Sequence, residues 1–203
     1  SDMYDALRRS ALGLSYFTVG YNILEGVASL VAGALALSIA LTGFGLDSFV
    51  ESLSGGIMIW RLKGHAHGDD DKTDEIRERR AVRLIGLSFL VFGAYVLFES
   101  ARKIYLHEVP EPSLFGIVIA LASLVVMPIL YLKKRRIGTA LGMRSLIADS
   151  KETLACVYLS ASLLAGLLLN AALGLWWADP VVGVLVSIFL FREGREAFED
   201  GED

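Results

Sequence analysis

The chain has 203 residues, of which 54% are hydrophobic, and a formal net charge of −4. Its mean hydropathy of +0.54 is too high for one soluble core of this size, and the charge gives no support to nucleic-acid binding. The single cysteine, Cys156, excludes an intrachain disulfide. Because the apolar residues lie in runs of about 18 residues or more, long enough to span a bilayer, the composition predicts an all-α polytopic membrane protein.

Six membrane spans fit the apolar pattern. In chain order we place them at roughly 9–34, 37–60, 82–103, 113–131, 145–173 and 176–191. The break between the first two is weak in polarity, and we place it near residues 33–36 because one helix of about fifty residues would be far longer than a bilayer requires. Six spans return the chain to its starting side, so the prediction is a six-helix bundle with both termini on one side.

Lysine and arginine assign the sides of the membrane, since they concentrate in cytoplasmic loops. The loop 61–80, the run 133–136 and both chain ends are basic, whereas the opposite side holds only Arg102 and Lys103. Both termini are therefore predicted to be cytoplasmic, with 61–80 a polar loop and 133–136 an ordinary topology determinant. About a dozen residues follow the last span, which leaves no room for a soluble C-terminal domain.

Two acidic residues interrupt the second span. Asp47 and Glu51 are four residues apart, so they lie on one face of a helix, one turn from each other. A carboxylate in hydrocarbon is costly and should face the bundle interior or a water-filled pocket. Two of them on one stripe are suited to hold a cation between them, although each could instead pair with Lys151 or an interhelical serine.

The fifth span carries a second pair, Glu152 and Cys156, at the same spacing. At about 1.5 Å of rise per residue, Glu51 lies roughly 15 Å and Asp47 roughly 21 Å from the cytoplasmic marker Arg61. On the same scale Glu152 and Cys156 lie roughly 12 and 18 Å from the cytoplasmic start of span five. The two pairs therefore fall at similar depth and are predicted to meet near the middle of the bilayer.

Three further polar residues are candidates for the pathway or an additional ligand. Asn22 and Glu25 on span one lie at a comparable depth, so either could add an oxygen from the side, although such an asparagine more often bonds a neighbouring helix. Asp149 lies near Lys151 and the inner interface, which favours a structural ion pair or an inner gate over direct ligation.

Three carboxylates and one thiol make a plausible tetrahedral site for a divalent ion. The mixture of thiolate and carboxylate suits Zn²⁺ or Cd²⁺ more than Mg²⁺ or Ca²⁺, although a lone buried cysteine such as Cys156 can also act as a small hydrophobic residue. Clustered acids repel one another, so one of them should hold a proton when no metal is bound. Metal binding then releases protons, which is the physical basis for exchanging metal against H⁺.

A second, weaker metal motif lies in the loop 61–80. His65, His67 and Asp69 form an H-x-H-x-D pattern like that of a loop metal site. Exposed tracts of histidine and aspartate also bind metals adventitiously, and most acidic loops are merely solvated. We therefore predict a loop site here only as an addition to the pair of acids on span two.

The six spans, the acid pair on span two, the polar pair after Ala148-Asp149 and the WWADP segment before span six together resemble the cation diffusion facilitator family. That resemblance implies export of Zn²⁺ and related divalent ions against protons, a homodimer, and metal ligation by Asp47, Glu51, Glu152 and Cys156. The family usually has Asp, His and Asp where Glu51, Glu152 and Cys156 stand. Glu in place of His at position 152 makes the site harder, and Cys in place of Asp at position 156 makes it softer.

The leading hypothesis is thus a proton-coupled exporter of Zn²⁺, or of Cd²⁺ or another divalent metal, working by alternating access in the lipid bilayer. The alternative is a membrane metal sensor or scaffold that binds the ion without transporting it. An enzyme is not expected, because no Ser/His, Gly-x-Ser-x-Gly or His-Glu-x-x-His pattern is present. The compactness of the chain favours a bacterial plasma membrane.

Overall fold

The computed structural model describes residues 2–36, 39–66, 71–109 and 113–200. Over these residues it contains six α-helices and no strand, which confirms the predicted all-α bundle. In chain order the helices are α1 Asp2–Ala36, α2 Ile39–Ala66, α3 Asp71–Leu106, α4 Leu114–Leu141, α5 Arg144–Leu173 and α6 Ala178–Asp200.

The helices are longer than the apolar runs because their ends continue into polar sequence. The segment predicted as the loop 61–80 is helical at both ends, with α2 continuing to Ala66 and α3 beginning at Asp71. The basic run 133–136 lies inside α4, which ends only at Leu141. Gly142 then adopts a left-handed conformation (φ 63°), and its N–H is donated to the carbonyls of Gly138 and Thr139.

The outer surface of the bundle is apolar, as a lipid-facing surface must be. By length and composition, α1, α3 and α4 each contain a stretch able to cross a membrane. Large hydrophobic side chains point outward from all six helices, in a density that a soluble protein would not expose. They include Phe17, Leu24, Val31, Leu53, Val91, Phe98, Val125, Leu132, Leu168, Leu185 and Ile188.

Glycines allow two of the helix pairs to approach closely. A Cβ added at Gly86 of α3 would lie 3.0 Å from the carbonyl oxygen of Gly194 in α6, and one at Gly194 would lie 3.0 Å from the oxygen of Gly86. Gly26 and Gly45 face each other in the same way between α1 and α2, at 3.2 and 3.0 Å. Small residues at such crossings let backbones touch, which is how membrane helices gain packing energy.

Contacts between helix ends show that the bundle has two distinct ends. At the basic end, Arg8 donates to the carbonyl of Leu62 at 2.7 Å, and Arg144 donates to the carbonyl of Asp200 at 3.0 Å. At the far end, Lys103 near the close of α3 pairs with Asp179 at the start of α6. The first and last helices thus have their outer termini at the same end, as an even number of crossings requires.

Candidate functional site

The second and fifth helices run antiparallel, and their polar residues meet in register. Ser54 donates to Asp149 Oδ1 at 2.5 Å, and one turn further along, Thr153 donates to Glu51 Oε1 at 2.7 Å. All four residues are buried. The depth that helix rise predicts for these stretches is therefore consistent with the contacts that join them.

Asp47 lies one turn beyond Glu51 toward the far end, beside a cavity of about 60 Å³. The cavity, here called the far-end cavity, is also lined by charged and hydroxyl side chains, among them Tyr95, Glu99, Ser100, Lys103, Ser162 and Asp179. The Asp47 side chain is 7% exposed, and its Oδ1 has no hydrogen-bond partner among the residues described. An unpaired carboxylate oxygen next to a polar cavity is placed to receive a proton or a cation from it.

Glu51 is more deeply enclosed, with 1% of its surface exposed. Besides the bond from Thr153, its Oε1 lies 4.0 Å from the ammonium nitrogen of Lys134 on α4. The Cys156 thiol of α5 is also buried and interacts with Glu51, with Asp47 and Glu152 the other acids near it. Glu51 is thus the residue at which α2, α4 and α5 converge.

Glu152 is fully buried but faces a different neighbour. Its two carboxylate oxygens lie 3.3 and 3.5 Å from the hydroxyl of Ser88 on α3, and Ser54 also contacts it. Within the described ranges, no three His, Cys, Asp or Glu side chains are gathered closely enough to hold a metal ion. Glu51 is instead held by Thr153 and Glu152 by serines. The buried polar side chains between the helices, these four candidate ligands among them, are here called the polar path.

Glu25 and Asn22 lie on α1, to one side of this path. Glu25 Oε1 accepts hydrogen bonds from Ser48 at 2.9 Å and from Ser123 at 3.4 Å, so it links α1 to α2 and α4. Asn22 donates to the carbonyl of Thr18 within its own helix, and its Oδ1 has no partner in the described part of the chain. Glu25 therefore forms hydrogen bonds between helices, as a pathway residue would, whereas the hydrogen bond of Asn22 lies within its own helix.

Asp149 forms a buried ion pair, but its partner is not the neighbouring Lys151. The Lys134 Nζ lies 3.0 Å from Asp149 Oδ2, and both side chains have no exposed surface. Lys151 instead points away and pairs with Glu193 of α6. The physical reason is helix geometry, because residues two apart on a helix project from different faces.

The basic end of the path is closed by a charged cluster around Arg61, here called the basic-end plug. Arg61, 4% exposed, donates from Nε to Glu78 at 2.6 Å and from its two terminal nitrogens to Asp74 at 2.8 and 3.1 Å. Glu78 also accepts from the backbone N–H and the hydroxyl of Ser145, each at 2.8 Å. The plug joins α2, α3 and α5.

The structure does not test the loop motif formed by His65, His67 and Asp69. His65 lies in the last turn of α2, and its side chain is not among those the structure describes. His67 and Asp69 lie outside the described residues. The predicted loop site therefore remains a prediction.

Sequence reasoning missed Lys134, Thr153, Ser54 and Ser88 as members of the path. Lys134 was grouped with the basic run 133–136 as a topology determinant, yet it is fully buried. A periodicity signal could have found it, since the buried residues of α4 recur at helical spacing: Ser123, Met127, Leu130, Lys134 and Gly138.

Comparisons with known proteins agree with this architecture. Residues 80–201 match the cation efflux transmembrane domain. Transmembrane protein 163 of Xenopus laevis is 23% identical over 194 residues, covering 95% of this chain and 68% of the relative. The protein named uncharacterized transporter YdbO, from Bacillus subtilis (strain 168), is 25% identical over 197 residues, covering 96% of this chain and 67% of its own length.

The matched region is more than half of the chain, so this protein belongs to the cation efflux family. The resemblance that the sequence motifs indicated is thereby confirmed, as is the character of an integral membrane protein. The family is one of metal cation transporters rather than of enzymes.

Proposed function

We propose that this protein exports divalent metal cations, with Zn²⁺ the leading substrate and Cd²⁺ or another transition metal an alternative, in exchange for protons. The observation that carries the proposal is the pair of buried acids on α2, Asp47 and Glu51, packed against the polar face of α5 in a chain of the cation efflux family. Buried carboxylates away from water are retained where they serve ions or protons.

The ion is held by Asp47 and Glu51 from α2 and by Glu152 and Cys156 from α5. Thiolate and carboxylate ligands together favour Zn²⁺ and Cd²⁺ over harder ions. Ligation requires Glu51 to exchange its bond from Thr153, and Glu152 its contacts with Ser88, for the metal. Glu25 accepts a hydrogen bond from Ser48, the residue after Asp47, and therefore lies at a depth similar to that of Asp47. It serves as an additional ligand or as a proton carrier.

Protons and the metal compete for the same oxygen and sulfur atoms. Acidic ligands must lose their protons to bind a divalent ion, so binding releases H⁺, and H⁺ arriving from the other side releases the ion. The basic end is the cytoplasmic end by its excess of lysine and arginine. Alternating access then opens the basic-end plug to load the ion and the far-end cavity to release it.

The remaining assignments follow the family. The protein acts as a homodimer in a bacterial plasma membrane, with both termini cytoplasmic. The contact between protomers is made by the membrane helices. The lipid-facing apolar residues supply ample surface for such a contact.

The decisive experiment is Zn²⁺ flux into proteoliposomes with an imposed pH gradient. The intact chain is compared with Asp47→Ala and, as a matched control, with Asp5→Ala, an exposed aspartate at the start of α1. We expect gradient-dependent flux in the intact chain and the control, and loss of roughly a hundredfold or more in Asp47→Ala because an intramembrane acid is removed.

Three outcomes would count against the proposal in different ways. Flux that survives Asp47→Ala would move the pathway toward Glu25 or Asp149. Flux that is indifferent to the pH gradient would remove the proton coupling. Metal binding without flux in any variant would favour the alternative function, a membrane metal sensor or scaffold.

A further inference from the structure

Lys134 is a fully buried lysine within a basic run. It lies on α4 with no exposed surface, surrounded by groups from two other helices. Its ammonium nitrogen is 3.0 Å from Asp149 Oδ2, 3.0 Å from the Thr153 hydroxyl and 4.0 Å from Glu51 Oε1. The residues next to it in sequence, Lys133 and Arg135, are exposed in the ordinary way.

A buried ammonium is expensive unless carboxylates neutralise it. Here two carboxylates do so, and one of them, Glu51, is a ligand of the proposed metal path. A divalent ion held by Glu51 and an ammonium held close to the same oxygen repel each other strongly, because the surroundings have a low dielectric constant. The two cations therefore cannot both be stable at Glu51 in this arrangement.

We propose that Lys134 is a tethered cation that neutralises Glu51 and Asp149 when no metal is bound and competes with the divalent ion for Glu51. This inference rests on the proposed function, since it concerns the same site. It assigns the lysine a role in setting metal affinity and release. In this role Lys134 contacts the metal's ligand rather than the metal.

The geometry also assigns a role to Asp149. Its distance to the ammonium, 3.0 Å, is shorter than the 4.0 Å of Glu51, so Asp149 is the closer partner. Asp149 draws the lysine toward the basic end and away from Glu51. Ser54 fixes the other carboxylate oxygen of Asp149, which holds the acceptor in place.

These two roles predict that two substitutions change the Zn²⁺ affinity in opposite directions. Lys134→Gln removes the competing charge and keeps groups that can bond Asp149 and Thr153, so Zn²⁺ should bind roughly tenfold tighter or more. Asp149→Asn removes the charge that holds the lysine back, so Zn²⁺ should bind roughly tenfold more weakly. The double variant carries no ion pair and should bind at least as tightly as the intact chain.

The test is isothermal titration of ZnCl₂ into the purified full chain in detergent, for the intact protein, Lys134→Gln, Asp149→Asn and the double variant. Lys134→Arg keeps the charge and should keep the intact affinity within a few-fold. Lys133→Gln, one residue away on the exposed surface, is the matched control and should change nothing. If Lys134→Gln alone does not fold, the double variant still reports the effect, since it also removes the Asp149 charge that Lys134→Gln leaves without its closest ammonium partner.

The outcomes separate this inference from the proposed function. If the intact chain binds Zn²⁺ and Lys134→Gln binds no more tightly, the competition is wrong while the metal site stands. If all charge variants weaken binding alike, Lys134 is a structural clamp only. If neither the intact chain nor any variant binds Zn²⁺, the proposed function fails together with the inference.

Discussion

The two halves of the polar path are built differently. Toward the far end, Asp47 borders a cavity and keeps a carboxylate oxygen without a hydrogen bond among the described residues. Toward the basic end lie the ion pair of Lys134 with Asp149 and then the basic-end plug. In the plug, Glu78 accepts hydrogen bonds from both Arg61 and Ser145. The far-end half thus has a cavity beside an unpaired carboxylate oxygen, whereas the charged groups of the basic half are ion-paired with one another.

This difference shows what each half is suited to do. Groups that are already hydrogen-bonded and ion-paired give a helix bundle rigidity, and they resist the entry of an ion. Groups beside a cavity can exchange water, protons or a cation without breaking the fold. Glu51 lies at the boundary, bonded to Thr153 on one side and near Asp47 and Cys156 on the other. In this structure the charged groups of the basic half bond one another, while Asp47 borders the far-end cavity.

The largest effect on stability is expected at the basic-end plug. Glu78→Ala leaves the buried Arg61 with Asp74 alone and the N–H of Ser145 without its acceptor, which should cost about 2–3 kcal/mol. We expect the apparent thermal midpoint in detergent to fall by roughly 4–10 °C. Glu75→Ala, at the exposed pair with Arg79, is the control and should shift it little. Equal shifts in the two variants would mean that the plug does not hold α2, α3 and α5 together.

The second prediction concerns access to the two halves. In a Cys156→Ser background, which removes the chain's single cysteine, Asp47→Cys and Ser54→Cys each introduce one thiol on α2. A small methanethiosulfonate reagent should modify the thiol at position 47 at least roughly tenfold faster than that at position 54, because reactivity follows exposure. Similar rates at both positions would show that the basic half is as open as the far-end cavity.

The smallest effect is expected at the far end. Asp179→Asn neutralises the mostly buried partner of Lys103 beside the cavity but keeps groups that can bond Lys103 and Ser162. Because the hydrogen bonds are kept and only the charge is removed, and a hydrogen bond to a charged group is worth about 1 kcal/mol more than a neutral one, the loss should be about 1 kcal/mol. The thermal midpoint measures it, with Glu196→Gln at the exposed pair with Arg192 as control. A loss of stability as large as that caused by Glu78→Ala would show that the two halves of the path do not differ in this respect.

The fold could be predicted from the sequence because bilayer length and charge are strong one-dimensional signals. Runs of apolar residues gave six helices, and the register between α2 and α5 followed from helix rise alone. Helix ends were harder to place. The polar residues 61–66 and 71–80 are helical because ion pairs such as Arg61–Glu78 satisfy them, and those pairs join positions far apart in the chain.

The candidate site was only partly predictable. The spacing of Asp47 and Glu51 reveals two acids on one face, and that spacing needs no tertiary information. Lys134 could not be recognised in the same way, because the rule that assigns basic residues to loops treats 133–136 as one group. The helical spacing of the buried residues of α4 singles out position 134, but the partners of its side chain, Asp149 and Thr153, follow only from the packing of α4 against α5.

The central claim is that a divalent ion binds between α2 and α5, and the most direct test is X-ray absorption at the zinc edge of the Zn²⁺-loaded full chain. We expect one sulfur ligand at about 2.3 Å together with carboxylate oxygens. We also expect the sulfur to disappear in Cys156→Ser while oxygen ligation persists. Ligation by nitrogen and oxygen alone that is unchanged in Cys156→Ser would contradict this claim and would indicate histidine ligands instead.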